Sequence, residues 1–212
     1  MSTQVEHSRM FKRGGALGYL EDSDRFLTAR ADPEFNFGVI GCGMMGQEHI
    51  YNALLVGRAK IGGLYDPAAK SIETASRLVA KNSQQDAPKI YASLQQACAD
   101  PATDALIIAT PNYTHLEVMR AVAGCDKALF VEKPIATTVV DAYEVCQLAA
   151  AHSRPVRFGL QYRFKSVYAE ALTEVFERRS VGRVHSVNML EHRFPFLDKV
   201  QQWNKFSAYT GG

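Results

Sequence analysis

The chain has 212 residues, 47% of them hydrophobic and 22% charged, a composition typical of folded globular proteins and not of disordered ones. Its 24 basic and 22 acidic residues give a formal net charge of +2 without any basic run, which argues against a nucleic acid or a membrane surface as a partner. No apolar stretch reaches the ~18 residues of a membrane span, and the N-terminus lacks the apolar core of a signal peptide.

The first 34 residues differ from the rest of the chain. Residues 1–34 are polar and are predicted to form an N-terminal extension, either a mobile tail or an arm that packs on a neighbouring subunit. From Phe35 onward, short apolar runs alternate with helical patterns. Strands are predicted at 35–41, 60–66, 89–93, 104–110, 127–134 and 155–164, with helices between them. Strands separated by helices of ~10–15 residues indicate βαβ units, right-handed crossovers and a doubly wound parallel sheet.

The pattern changes after Phe164. A long amphipathic helix is predicted at about 165–180, followed by one long strand at 182–194 and a final loop. That strand alternates between apolar and polar residues, which is typical of an antiparallel sheet with one face in water. A lone strand is not stable, so we expect this region to begin a second domain with an antiparallel sheet.

One glycine-rich segment joins the first predicted strand to the first predicted helix. Gly41, Gly43 and Gly46 form a G-x-G-x-x-G pattern, and Asp66 ends the next strand ~20 residues later. In this context the pattern is the fingerprint of a dinucleotide-binding turn, in which the diphosphate lies at the helix N-terminus. The residues predicted to contact the cofactor here are Gly41, Gly43, Met44, Met45, Gly46 and Asp66.

The acidic residue predicts which cofactor binds. The Asp66 carboxylate can accept hydrogen bonds from the adenosine ribose, whereas it would repel a 2′-phosphate. We therefore expect NAD, with NADP disfavoured, although Lys70 lies one helical turn on and could partly offset the repulsion. The alternative interpretation is a glycine-rich turn without a ligand, in which Asp66 caps the second helix.

Two further polar segments follow predicted strands, at the carboxyl ends where open α/β sheets bind ligands. They are residues 110–115, with the sequence TPNYTH, and residues 132–134, with the sequence EKP. A lysine such as Lys133 beside a bound nicotinamide could hydrogen-bond a substrate hydroxyl and stabilise the alkoxide that forms as hydride leaves. The positive nicotinamide ring would favour the neutral form of that lysine. The alternative for the EKP segment alone is a solvated loop.

Cysteines and histidines show no pattern of a metal site or a disulfide framework. The four cysteines are widely spaced and form no CxxC motif, which is typical of reduced thiols in a cytoplasmic protein. His185 and His192 are predicted to face opposite sides of one strand, so they cannot share a metal ion. We therefore expect no metal and a cytoplasmic location.

The order and spacing of three motifs resemble a known family. The sequence has GxGxxGxxH followed by YDP, then TPNYTH, then EKPIA, which is similar to the Gfo/Idh/MocA oxidoreductases over residues 35–212. The resemblance implies a Rossmann domain at 35–158, and a substrate and oligomerisation domain that residues 159–212 begin but do not complete. It implies hydride exchange between a nicotinamide cofactor and a hydroxyl carbon of a sugar, cyclitol or related polyol. It also implies a homo-oligomer for the full-length form.

The resemblance assigns roles to individual positions. Lys133 matches the catalytic lysine of the family, and Glu132 precedes it. Pro111, Asn112 and His115 match the segment on the nicotinamide side, while Gln161 and Arg163 match the strand end that approaches cofactor and substrate. The cofactor-binding residues expected beyond the glycine turn are Thr110, Pro111, Asn112, His115, Glu132, Lys133, Gln161 and Arg163.

The chain departs from the family at its C-terminus. In the family, the segment that matches Thr210–Gly212 continues into a helix with an aspartate and a histidine, which orient the substrate and accept a proton. Since the chain ends at Gly212, we expect it to be a poor catalyst, because general acid–base help is worth ~10²–10⁴ in rate. The alternative is a non-catalytic NAD-binding sensor or regulatory protein. A methyltransferase fits the ribose contact but not the TPN and EKP segments.

Overall fold

The computed structural model describes residues 33–192 and 199–211. Six strands form one sheet in the order β3-β2-β1-β4-β5-β6. They are β1 Phe35–Ile40, β2 Ala59–Tyr65, β3 Lys89–Ile90, β4 Ala105–Ile108, β5 Ala128–Val131 and β6 Val156–Phe158. The pairs β1–β2, β2–β3 and β5–β6 are parallel. This strand order is that of the doubly wound dinucleotide-binding fold, so the predicted α/β class is confirmed.

The chain divides into two compact units, the first ending at Ile107 and the second beginning at Ile108. In the first unit, three helices follow the strands: α1 Met44–Val56, α2 Ala69–Asn82 and α3 Leu94–Ala99. The core of this unit includes Ile40, Ile61 and Leu106, each fully buried. These side chains come from the unbroken apolar runs that predicted the strands, as expected where a sheet is covered on both faces.

The pairing of β1 with β2 contains a β-bulge. Phe37 lies opposite Ile61 but Gly38 lies opposite Gly63, so Gly62 is an extra residue in β2. A Cβ atom on Gly62 would lie 2.1 Å from the side-chain oxygen of Asn36. Close contact with a neighbouring side chain therefore explains why glycine stands at this bulge.

The second unit contains the helices α4 His115–Val122 and α5 Val139–Ala151 between its strands. Thr138 caps α5, because its hydroxyl accepts a hydrogen bond from the amide of Asp141. Further along, α6 Ser166–Leu172 continues into a π-helical turn at Thr173–Glu177. A 3₁₀ helix at Val200–Lys205 and the short helix α7 Ser207–Thr210 follow.

The strands predicted at 89–93 and 127–134 are shortened to Lys89–Ile90 and Ala128–Val131, and two further predicted strands differ more from the structure. The strand predicted at 155–164 is limited to Val156–Phe158, and Gln161–Phe164 forms a 3₁₀ helix instead. The strand predicted at 182–194 is wrong for residues 182–192, which form no ladder, and its last two residues lie outside the described part. A strand needs hydrogen-bonding partners, and the described ranges contain no antiparallel sheet that could supply them. The predicted N-terminal extension lies almost wholly outside the described residues.

No helix within residues 33–192 and 199–211 combines the length and the apolar character needed to cross a membrane.

Candidate active site

The glycine turn of the first unit has the conformation that its sequence predicts. Gly41 follows β1 with a φ of 92°, which favours glycine, and its amide donates to the Tyr65 carbonyl over 2.8 Å. A Cβ atom on Gly46 would lie 1.9 Å from the Gly41 carbonyl oxygen. Only glycine at position 46 therefore allows α1 to pack against the turn that precedes it.

Helix α1 begins at this turn, and no side chain caps its N-terminus. Its N-cap residue is Gly43, and its first turn carries no acidic residue. A Cβ atom on Gly43 would meet no heavy atom within 4 Å, so the turn is open on this side. Backbone N–H groups and the helix dipole favour an anion at such a terminus. The turn therefore fits a diphosphate, and a side chain at position 43 would fill the space it needs.

Asp66 connects the end of β2 to the glycine turn. One carboxylate oxygen accepts a hydrogen bond from the Cys42 amide over 2.7 Å, and the other accepts from the Ala68 amide over 2.8 Å. Because a carboxylate offers about four lone-pair sites, these two bonds leave capacity for ribose hydroxyls. Lys70 lies exposed in the first turn of α2.

Cys42, inside the turn, is shielded from solvent. Its side chain is fully buried, and its thiol donates weakly to the Tyr65 carbonyl. Burial, helped by the negative charge of Asp66, raises the pKa of Cys42 to about 12. The thiol therefore stays protonated near neutral pH and is unsuited to act as a nucleophile.

In chain order, the TPNYTH segment is the first candidate site segment in the second unit. Asn112–Thr114 forms one 3₁₀ turn before α4, and the Thr114 hydroxyl lies 2.8 Å from that of Thr110. His115 is fully buried. Its Nδ1 lies 2.8 Å from the Pro134 carbonyl oxygen, and its Nε2 lies 3.1 Å from that of Thr110. The ring therefore joins this segment to the EKP segment.

The EKP segment places a buried acid beside an exposed base. Glu132 is only 7% exposed, and its carboxylate accepts a hydrogen bond from the Lys133 amide over 3.0 Å. Its own amide donates to the Ile108 carbonyl over 2.9 Å. A Cβ atom on Gly159 would approach the Glu132 carboxylate to 3.0 Å. Glu132 is thus part of the packing, whereas the Lys133 side chain is exposed and able to meet a ligand.

Gln161 and Arg163 lie in the 3₁₀ helix that follows β6, with both side chains exposed. Since β6 pairs with β5, they follow the strand next to the one that leads to Lys133. The structure thus groups the residues predicted from sequence in two sets. The first unit holds the glycine turn and Asp66, and the second holds the segments at 110–115, 132–134 and 161–163.

An aromatic cluster near the C-terminus was missed by the sequence analysis, which read this region as a loop. Tyr113, Trp203, Phe206 and Tyr209 line a cavity of about 330 Å³. The rings of Tyr113 and Tyr209 are 4.8 Å apart. Gly211 brings the same segment close to the EKP loop, because a Cβ atom there would lie 2.4 Å from the Thr137 carbonyl oxygen. The three-residue spacing of Trp203, Phe206 and Tyr209 could have revealed that these three aromatic residues lie together, but not that they contact Tyr113.

Among the described residues, no group of three or more His, Cys, Asp or Glu side chains could hold a metal ion.

The sheet order and the uncapped glycine turn define a dinucleotide-binding α/β protein. The model of the Gfo/Idh/MocA oxidoreductases, described as a family with an NAD-binding Rossmann fold, matches residues 35–160. This match covers more than half of the chain, so the chain belongs to that family. The resemblance inferred from the three motifs is confirmed.

Individual relatives agree with this assignment. Inositol 2-dehydrogenase 2 of Saccharopolyspora erythraea is 28% identical over 158 residues, which are 72% of this chain and 44% of the relative. The 2,7-anhydro-N-acetylneuraminate hydratase of Escherichia coli is 28% identical over 185 residues, or 84% of this chain and 45% of the relative. The chain therefore spans less than half of the length of each of these two relatives.

The fold also matches a solved structure. The myo-inositol dehydrogenase of Lactobacillus casei, in complex with NAD(H) and myo-inositol, superimposes with a TM-score of 0.61 and 27% identity. The match covers 70% of this chain and 42% of the other.

Proposed function

We propose that this protein binds NAD and takes part in hydride transfer between the nicotinamide and a hydroxyl carbon of a sugar, cyclitol or similar polyol. The observation that carries the proposal is the glycine turn at the start of α1, which is uncapped and open at Gly43. Relatives that act on inositol support the substrate class. Family membership supports the reaction type.

The first unit supplies the contacts that recognise NAD. The amides of residues 43–46 would bind the diphosphate, and the Asp66 carboxylate would accept hydrogen bonds from the adenosine ribose. A 2′-phosphate would meet this negative charge, and the exposed Lys70 would offset only part of the repulsion. NAD is therefore the preferred cofactor.

The second unit supplies the chemistry at the substrate. The bound nicotinamide accepts or donates the hydride. Lys133 has a compact charge and movable donors. It would hydrogen-bond the hydroxyl that is oxidised and stabilise the alkoxide, while the hydroxyl proton passes to solvent water and the hydride leaves the carbon for the nicotinamide. Thr110, Pro111 and Asn112 would flank the nicotinamide, and Gln161 and Arg163 would orient the cofactor and substrate.

The first test is a fluorescence titration of the 212-residue chain with NADH and, separately, with NADPH. We expect saturable binding, with a higher affinity for NADH than for NADPH. Asp66→Ser removes the charge that repels the 2′-phosphate, so it should reduce the difference between the two affinities. Failure of both cofactors to bind would contradict the proposal. Tighter binding of NADPH would contradict the role of Asp66.

The second test follows NADH formation from myo-inositol and NAD⁺. Lys133→Ala should leave NADH affinity nearly unchanged and lower turnover by about 10²-fold or more, as for other positioned acid–base groups. Lys81→Ala, which removes an exposed lysine from the end of α2, is the matched control and should change neither. Tight NADH binding without turnover of any polyol would favour the second role, that of an NAD-binding sensor or regulatory protein.

A further inference from the structure

The imidazole of His115 connects two loops that the proposed reaction requires. Its Nδ1 lies 2.8 Å from the carbonyl oxygen of Pro134, the residue after Lys133. Its Nε2 lies 3.1 Å from the carbonyl oxygen of Thr110, at the end of the β4 region. The side chain is fully buried, so neither ring nitrogen is available to a ligand in this arrangement.

Both partners of the ring are hydrogen-bond acceptors. A neutral imidazole has one N–H group and can donate to only one carbonyl, whereas an imidazolium can donate to both. Burial lowers the pKa of His115, although the two carbonyls and the charge of Glu132 oppose this effect. The neutral ring therefore donates a hydrogen bond to the carbonyl oxygen of one loop. Its other nitrogen lies against the carbonyl oxygen of the second loop.

The backbone is anchored on both sides of Lys133. On one side the Lys133 amide donates to the Glu132 carboxylate over 3.0 Å. On the other side the Pro134 carbonyl lies against His115. A long exposed side chain has many rotamers. Anchors at the peptide group before Lys133 and at the carbonyl of the next residue limit the directions in which the side chain can leave the backbone.

We propose that His115 is a positioning residue, which holds the Lys133 loop against the end of β4 and does not itself touch the cofactor or the substrate. This inference rests on the proposed role of Lys133. It also revises the role that the family resemblance implied for His115, which was a contact on the nicotinamide side.

The chain contains a matched control for this arrangement. His152 also has both ring nitrogens against backbone carbonyls, with Nδ1 3.1 Å from Ala123 and Nε2 2.8 Å from Lys127. Its contacts lie in the connection between α4 and β5, away from the EKP segment in sequence. Replacing His152 removes an equivalent pair of imidazole–carbonyl contacts but leaves the contact between His115 and Pro134 in place.

The experiment measures how fast Lys133 is acylated by N-hydroxysuccinimidyl acetate in the full chain, with and without saturating NADH. Peptide mass spectrometry reports each lysine separately, and the exposed Lys81 serves as an internal reference. In the wild-type chain NADH should slow acylation of Lys133 but not of Lys81. His115→Phe fills the same space without ring nitrogens, and His115→Gln restores a side-chain donor.

We expect His115→Phe to bind NADH as tightly as the wild type, because the glycine turn is unchanged. The protection of Lys133 should fall by about tenfold, since a shift of ~1 Å can cost a positioned group up to about 10²-fold. His115→Gln should recover part of the protection, and His152→Phe should keep all of it. Full protection in His115→Phe, or an equal loss in His152→Phe, would overturn the inference.

Two further outcomes separate this inference from the proposed function. If NADH binds the wild type but protects Lys133 no more than Lys81, the proposed role of Lys133 is wrong, and the inference falls with it. If the circular-dichroism spectrum shows that His115→Phe does not fold, His115→Gln is used to test the positioning role instead. A folded His115→Gln that gives Lys133 no protection despite its restored donor would overturn the positioning role, and so would NMR contacts between the His115 ring of the wild-type chain and bound NADH.

Discussion

Two stretches of the chain contain similar apolar side chains but bury them to very different extents. In residues 35–158, side chains such as Ile40, Leu64 and Leu106 are fully buried among strands and helices. In residues 160–192, Phe164 is 83% exposed and Leu190 is 82% exposed. An apolar pattern therefore predicts burial only where a second element is present to cover it.

The same contrast holds for backbone hydrogen bonds. Each strand of the first stretch has a neighbour in the six-stranded sheet. Residues 184–192 have no assigned helix or strand, although their alternation of apolar and polar residues is that of a strand. Alternation specifies which face of a strand is apolar, whereas the ladder itself depends on a partner strand.

The largest expected difference comes from truncating one leucine in each stretch. Leu106→Ala should lower the free energy of unfolding by about 2–5 kcal/mol, because it opens a cavity in the core. Leu190→Ala should change it by no more than about 0.5 kcal/mol, as for other surface substitutions. Urea unfolding of the two variants measures both values. A cost for Leu190→Ala near that of Leu106→Ala would show that this segment is packed in solution.

A pair of glycine substitutions separates stability from binding inside the well-packed stretch. Gly46→Ala should cost about 1–3 kcal/mol, because its Cβ atom overlaps the Gly41 carbonyl oxygen. Gly43→Ala has room for the methyl group and should cost no more than about 1 kcal/mol, the loss of a glycine N-cap.

Gly43→Ala should nevertheless weaken NADH binding by roughly tenfold or more, because the methyl group occupies the space needed by the diphosphate. Thermal unfolding and NADH titration of both variants check this pair. Equal NADH affinity for Gly43→Ala and the wild type would mean that the diphosphate does not lie on this turn.

The last effect concerns the thiols, and its contribution to stability is lost only at alkaline pH. The pKa of Cys42 is raised from 9.0 to about 12, chiefly by burial, so the folded chain holds this proton more tightly than the unfolded chain. Its contribution to stability is complete below pH 9 and is lost as the pH rises towards 12. Iodoacetamide near pH 8 should alkylate the exposed Cys146 and spare Cys42. Rapid alkylation of Cys42 in the folded chain would contradict its burial.

Much of the fold could be predicted from local patterns. The alternation of strands and helices and the shape of the glycine turn follow from apolar runs, glycine spacing and the acidic residue at the end of β2, which are all visible within short windows. The identity of Lys133 as a candidate came from its position after a buried strand and from the family motif. These features depend on residues that are near each other in sequence.

Other features depend on contacts between distant residues. The carbonyl of Pro134 lies beside the ring of His115, and the ring of Tyr113 lies beside that of Tyr209. Neither contact has a periodic signal that would connect the two segments in advance. The wrong strand at 182–192 has the same origin, because its pattern was visible but the absence of a partner was not.

The bulge at Gly62 makes the length of β2 important for recognition of the cofactor. Gly62 is the one residue of β2 without a partner in β1, so a deletion between Gly63 and Asp66, in the paired part of the strand, would shift the register by one residue and turn the Asp66 side chain to the opposite face. Asp66 would then lose the geometry in which it accepts the hydrogen bond from the Cys42 amide. Insertions and deletions usually accumulate in loops. In related sequences we therefore expect the interval between this bulge and the acidic residue to resist changes in length, even where the residues themselves vary.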